Sequence, residues 1–275
     1  MAKKRIRLDE AIVNLGLTET IKEARASIMA GKARVNGEKI DKAGFQIDGK
    51  KTVTIVKPVK NYVSRGGGKI KGAFDDFQFN IQGRIIIDGG ASTGGFTDFV
   101  LKHGAFHVYA IDVGYGQLDW SLRKNSKVTV MERVNLKNVA PSQLTNGTPD
   151  LTVMDLSFIS LTKVIPALSQ LMTPNAEIIT LVKPQFEARS EQIGKGGIVR
   201  DKDTHVEILK TVAEKLKDTD FRPINCTFSP LKGPKGNIEF FFHLVRGMYL
   251  EEVTITDQML EKTVENAHKL LNNHF

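Results

Sequence analysis

Cysteine is almost absent: Cys226 is the only one among 275 residues. A single thiol excludes an internal disulfide and a cysteine-rich metal centre, and it suits a reducing compartment. Long apolar runs are missing too. No stretch approaches the roughly 18 residues that a membrane helix needs, so no membrane partner is expected. The basic start, Met1-Ala-Lys-Lys-Arg-Ile-Arg7, has no apolar core behind it. No secretory signal is therefore expected, and the chain reads as cytoplasmic. Internal repeats and low-complexity tracts are also absent. Hydrophobic content of 41% is ordinary for a globular chain, and the length fits two domains or one large one.

Acidic residues are scarce only near the start. Residues 1–70 hold 16 lysines and arginines against 7 acids, and the remainder holds 23 against 24. The positive excess behind the net charge of +8 therefore belongs to the first quarter. A basic module on a near-neutral body points to nucleic acid or an anionic surface as its partner. Leu8, Ile12, Val13 and Leu15 fall on one helical face. Thr18 is placed to cap a second helix over about 19–30, with Ile21, Ala24, Ile28 and Met29 inward. Asn36-Gly37 is a strong hairpin signal, and residues 52–56 close a small sheet. Arg5, Arg7, Lys22, Arg25, Lys32, Arg34 and Lys39 surround this core and are candidate RNA contacts.

Glycine is concentrated where it matters most. Arg84-Ile-Ile-Ile-Asp88 reads as a buried strand, and the loop behind it holds Gly89, Gly90, Gly94 and Gly95. Phe96, Phe99, Val100 and Leu101 then recur at helical spacing. Such a strand–turn–helix unit lets a ligand approach the backbone and meet amide N–H groups at a helix start. A second strand, from Phe106, ends at Asp112, about twenty residues on, where this fold places an acid on ribose hydroxyls. Further strands are expected at 127–131, 150–154 and 177–182, with a final pair at 221–229 and 236–245. Helices are expected over 159–171, 204–217 and 255–271. The fold class is α/β, an open and mostly parallel sheet. Asp88, Asp112, Asp155 and Lys183 stand at strand ends, the edge that lines the ligand crevice. Glu239 lies in an apolar run and needs a partner, for which a lysine at the neighbouring strand end would serve. Residues 185–203 form a polar loop able to close over the site. A strand, glycine loop and acid also suit a nicotinamide cofactor, but that reading leaves the basic module and Lys183 unexplained.

The first module resembles the S-four RNA-binding domain, on Arg7-Leu-Asp and Ala24-Arg-Ala-Ser-Ile-Met-Ala-Gly-Lys-Ala-Arg-Val-Asn-Gly-Glu38. The whole chain resembles the TlyA family, called hemolysin A in older naming. The residues that carry this are Ser64-Arg-Gly-Gly-Gly-Lys69, the 88–98 loop, Asp112-Val-Gly-Tyr-Gly-Gln-Leu118, Asp155, Lys183-Pro184 and Asn237-Ile-Glu239. The resemblance implies a small α+β RNA-binding domain at 1–58, a linker at 59–63 and an FtsJ-like methyltransferase domain at 64–275. The latter would be a Rossmann-like class I methyltransferase with a mostly parallel seven-stranded sheet.

It further implies S-adenosyl-L-methionine as cofactor and 2′-O-methylation of ribosomal RNA at cytidine. The partner would be ribosomal RNA or a ribosomal subunit. The implied catalytic tetrad is Lys69, Asp155, Lys183 and Glu239, with Lys71 a second candidate for the first position. Asp88, Gly89, Gly90, Ala91, Ser92, Gly94, Gly95 and Phe96 would hold the methionine part of the cofactor. Asp112 would take its ribose, and Glu132 and Asn135 its adenine. Arg65 joins the RNA contacts. Chemistry agrees with the tetrad. A ribose hydroxyl is a weak nucleophile, and its proton must leave during in-line attack. Lys183 is assigned as base, Lys69 as positioner, and Asp155 and Glu239 as orienters, with no metal required. A catalytically idle RNA-binding factor and a membrane-lysing hemolysin are the alternative readings.

Overall fold

The computed structural model describes residues 5–48, 51–55, 61–247 and 254–272. The first part of the expected linker, residues 59 and 60, lies outside them. The chain divides into two compact units, Met1–Lys60 and Asn61–Phe275.

In the smaller unit, β1 (Arg5–Arg7) pairs antiparallel with β4 (Gln46–Asp48). A second sheet runs β3 (Glu38–Ile40), β2 (Ala33–Val35), β5 (Val53–Ile55). Asn36 and Gly37 both have positive φ, as the tight β2–β3 hairpin needs. Helices Leu8–Asn14 and Ile21–Met29 bury Leu8, Ile12, Ala24 and Ile28 against Val35, Ile47 and Val53. Thr20, not Thr18, caps the second helix, accepting from the Glu23 N–H at 3.2 Å. That helix is short, and only the Ala24–Ile28 stripe, one turn apart, turns inward. Ile21, Met29 and, at the end of the first helix, Leu15 are exposed, contrary to the periodicity reading.

The larger unit is a seven-stranded sheet in the order β11-β12-β10-β9-β6-β7-β8. Its strands are β6 (Ile85–Gly89), β7 (His107–Asp112), β8 (Val128–Glu132), β9 (Leu151–Met154), β10 (Glu177–Val182), β11 (Phe221–Phe228) and β12 (Phe240–Arg246). Strands β6 to β10 pair parallel with one another, and β12 alone is reversed, antiparallel to both β10 and β11. Alternate residues face opposite ways. Ile86, Val108, Val153 and Leu181 pack against helices Gly66–Phe77 and Gly95–Lys102. Ile87, Tyr109, Met154 and Val182 pack in the second core with helices Lys202–Leu216 and Asp257–Asn272.

One expectation changes. The helix expected over 159–171 is reduced to two single turns, Leu161–Lys163 and Ile165–Leu168. Pro166 lacks the N–H that a continuous helix would need at that point. Gly66, Gly67 and Gly68 open helix Gly66–Phe77. Glycine is a poor helix former, but here the backbones of two helix starts touch. A Cβ on Gly95 would fall 2.9 Å from both Gly66 Cα and Gly67 N. Close packing therefore overrides propensity.

Candidate active site

Topology explains why distant residues meet. Asp155 follows β9 and Lys183 follows β10, at the carboxyl edge of the sheet. Because β12 is reversed, its beginning reaches that same edge. Val182 pairs with Phe240, so Glu239 stands one residue beyond β12 beside Lys183. Lys69 enters from the first turns of helix Gly66–Phe77, on its inward face with Ile70 and Ala73. Lys71 points out and pairs with Asp75 at 2.5 Å, so it is not a substitute for Lys69.

The four side chains form a chain of ion pairs. Lys183 Nζ lies 2.6 Å from Asp155 Oδ1, Asp155 Oδ2 lies 3.5 Å from Lys69 Nζ, and Lys69 Nζ lies 2.7 Å from Glu239 Oε2. Glu239 is 1% exposed and Lys69 5%. The partner of Glu239 is therefore Lys69 and not the lysine at the neighbouring strand end, because Asp155 holds that one. Two buried ammonium groups and two carboxylates balance in charge, which makes their burial tolerable. Lys183 also donates to Ser157 Oγ at 2.8 Å.

These residues share a cavity of about 510 Å³. Gly90, Ala91, Ser92, Gly95 and Phe96 form one wall, and Arg65 lies at its rim. Gly90 has φ +79°, and a Cβ there would come within 2.7 Å of the Asp155 carbonyl oxygen. That position thus needs glycine on two counts. The loop leaves space and backbone at the wall where a donor's amino-acid end would lie, and the cavity falls in the range of small-molecule sites. Gly89 and Gly94 lie behind this wall. Asp112 accepts from Ser92 N at 2.8 Å and Gly114 N at 2.6 Å, which fixes its carboxylate at the strand end with lone pairs to spare for ribose hydroxyls. Glu132 and Asn135 do not line the cavity. Glu132 is bound to Arg123 at 2.6 Å, and Asn135 caps the turn Leu136–Asn138 through the Lys137 N–H.

Asp88 is fully buried beneath the loop. The Thr97 hydroxyl donates to its Oδ2 at 2.6 Å, and Oδ1 has no partner among the described residues. Burial pushes its carboxyl up to about 7; the Thr97 contacts oppose this, and Asp155 and Asp112 add to the rise. An acid raised in the folded state contributes stability below its ordinary range near 4, and that stability is lost as pH rises through about 7. Asp88→Asn is therefore expected to melt higher than the donor-free wild type at about pH 8, with the gap closing toward about pH 5. Calorimetry at both values checks this; a gap that widens toward acid contradicts it.

Sequence reasoning missed Phe158. It is 90% exposed with φ +64°, 5.0 Å from the Phe186 ring, and both line the cavity. A bulky side chain in the left-handed region is strained, and such strain clusters at functional sites. Its only signal in the sequence is a phenylalanine in a polar turn just after a strand-terminal aspartate. Of the basic candidates in the smaller unit, Arg7 and Arg25 are drawn onto Asp9, at 2.8 Å each, and Arg34 donates to the Gly31 carbonyl. Lys22 and Lys32 have no ion pair among the described residues. Arg65 donates to the Lys232 carbonyl.

The seven-stranded, mostly parallel sheet with its reversed β12 is the fold of the Rossmann-like S-adenosylmethionine-dependent methyltransferases. The FtsJ-like methyltransferase family model matches residues 62–246, and the S4 domain model matches residues 6–53. Over 272 residues the chain is 42% identical to YqxC of Bacillus subtilis, provisionally named an rRNA methyltransferase, covering 98% of this chain and 97% of that one. It is 41% identical to the 16S/23S rRNA (cytidine-2′-O)-methyltransferase TlyA of Mycobacterium tuberculosis, covering 88% and 90%. A solved structure from Streptococcus thermophilus, provisionally named a hemolysin, shares 40% identity and a TM-score of 0.77 over 98% of both chains. The chain belongs to the TlyA family, FtsJ-like methyltransferases that carry an S4 domain. No helix among the described residues is long and apolar enough to cross a membrane.

Proposed function

We propose that this protein transfers a methyl group to the 2′-hydroxyl of a cytidine in ribosomal RNA, and that Lys69, Asp155, Lys183 and Glu239 do the work. The observation that carries this is the single carboxylate, Asp155, held between two buried lysines beside the glycine cradle. S-adenosylmethionine, when bound, supplies a methyl group activated by a positive sulfur. Ala91, Ser92 and Phe96 would flank its amino-acid end, and Asp112 its ribose.

The residues of the chain supply positioning and proton handling. Lys183 Nζ, an ammonium in the resting site, gives its own proton to solvent before the reaction and then, as the amine, accepts the proton of the ribose hydroxyl. The ammonium so formed is stabilised at once by Asp155 Oδ1 at 2.6 Å, an interaction that strengthens as charge develops. Ser157 fixes the direction of the amine. Lys69, fixed by Glu239, presents a hydrogen-bond donor to the hydroxyl oxygen and keeps Asp155 aligned. The S4 unit holds structured RNA, chiefly through phosphate contacts.

Phe158, strained and uncovered at the cavity mouth, offers an aromatic face for the target base. Phe158→Ala is expected to raise KM for RNA about tenfold, since stacking contributes about 1–3 kcal/mol per base, with donor affinity unchanged. Steady-state kinetics and donor calorimetry check this; an unaltered KM removes the role. The proposed activity itself is tested with methyl-labelled donor and unmodified ribosomal RNA. Label in the RNA is expected, and its absence with donor-competent protein would overturn the reading.

A further inference from the structure

Two aromatic side chains at the sheet edge remain outside the site described so far. Tyr115 is 67% exposed, with the Arg133 guanidinium 4.1 Å from its ring centre. Trp120 is 65% exposed, with Lys124 Nζ 4.7 Å from its own. Neither pair lines the cavity.

Both pairs lie on the edge that carries the catalytic residues. Tyr115 and Trp120 follow β7, and Arg133 follows β8. Strands β7 and β8 stand two and three places from β9 in the sheet, so roughly 10–15 Å along that edge at ~4.8 Å per strand. The connection to the cavity is direct. Ser92 and Thr93 line it, and from their outer side Ser92 Oγ bonds Gln117 at 3.2 Å and the Thr93 carbonyl accepts from Asp119 N at 3.3 Å.

The geometry is held in place. Arg133 has φ +57°, a strained setting for arginine, and its N–H donates to the Gly114 carbonyl at 3.0 Å while Val134 N donates to Asp112 O at 3.0 Å. These bonds set the guanidinium over Tyr115. The nearby carboxylates are already engaged: Glu132 by Arg123, Asp119 by Ser121, and Asp112 by the two N–H groups named above. Asp112 and Asp119, bonded only to neutral donors, keep their charge beside this surface, which presents two flat rings, each with a cation against it. Bases stack on such rings and guanidinium planes whatever their identity, and the cations meet the phosphates between them.

We propose that the Tyr115–Arg133 and Trp120–Lys124 pairs form a stacking track for unpaired nucleotides of the RNA flanking the target, a role that rests on the RNA reading above. The test uses the full-length protein and a labelled single-stranded oligocytidylate, with S-adenosylmethionine calorimetry in parallel. Tyr115→Ala/Trp120→Ala is expected to weaken oligonucleotide binding at least about tenfold, and Lys124→Glu/Arg133→Glu to flatten its salt dependence. Donor affinity stays at the wild-type value in both. Unchanged oligonucleotide binding in both variants overturns the track, as does a parallel loss of donor affinity, which would give these residues to the cofactor. A wild-type protein that methylates ribosomal RNA yet ignores the oligonucleotide also overturns the track and leaves the proposed function standing. A wild-type protein that methylates no RNA overturns that function instead.

Discussion

Lys183→Met lowers the single-turnover rate of methyl transfer by about 10³–10⁴-fold, the upper part of the range for a lost general base, while donor affinity is unchanged. The expectation follows from where Lys183 stands. It is 9% exposed, at the end of a central strand, and its amine is aimed by two acceptors, Asp155 at 2.6 Å and Ser157 at 2.8 Å. Methionine keeps the apolar stem but removes the amine, leaving Asp155, a far weaker base, as the nearest proton acceptor. Lys69 cannot replace it, because Glu239 and Asp155 hold its amine on the far side of the aspartate. Lys183→Arg serves as the control: it keeps the charge, cannot deprotonate, and is expected to be as inactive as the methionine variant. Rapid-quench measurement at saturating donor separates the chemical step from binding, and a loss below tenfold would remove Lys183 from the mechanism.

Glu239→Ala is expected to destabilise the larger unit by about 3–5 kcal/mol, because it leaves Lys69 buried with its close partner gone. Asp155, at 3.5 Å, is shared with Lys183 and compensates only in part. Lys69→Met/Glu239→Leu removes both charges and is expected to recover most of that stability, since a buried ion pair is often matched by apolar residues of similar size. The double variant should nevertheless stay inactive. Stability and activity thus part company, which a merely structural ion pair would not produce. Calorimetric unfolding beside the methyl-transfer assay measures both. Equal destabilisation of single and double variants would mean that the cost comes from packing and not from the unpaired lysine.

Much of this fold is legible in the sequence because its signals are local. Four apolar runs with chemistry at their ends become β6, β7, β9 and β10. The Asn36-Gly37 turn and the glycine loop after Asp88 depend on backbone conformations that few other residues reach. The gathering of Lys69 with Asp155, Lys183 and Glu239 rested on family resemblance, because no spacing rule links residues 170 positions apart. What stayed hidden depends on contacts between elements. The pairing of Glu239 with Lys69 follows from the reversal of β12 and the entry of a helix that begins on three glycines. Phe158 and Met29 look like core residues by type, yet one is thrust outward by a strained turn and the other sits off a narrow helical stripe. Glu132 and Asn135 stand at a strand end as expected, and the sequence did not show that each also has an internal partner, Arg123 and the Lys137 N–H.

The identity of the methylated atom tests the central claim most directly. Ribosomal RNA treated with the protein and labelled donor, digested to nucleosides and resolved by mass spectrometry, should carry its new methyl group on the ribose of cytidine, and RNA treated with the Lys183→Met protein should carry none. A methyl group on a base, or equal ribose methylation by the variant, would contradict a mechanism in which a lysine frees the 2′-hydroxyl of its proton.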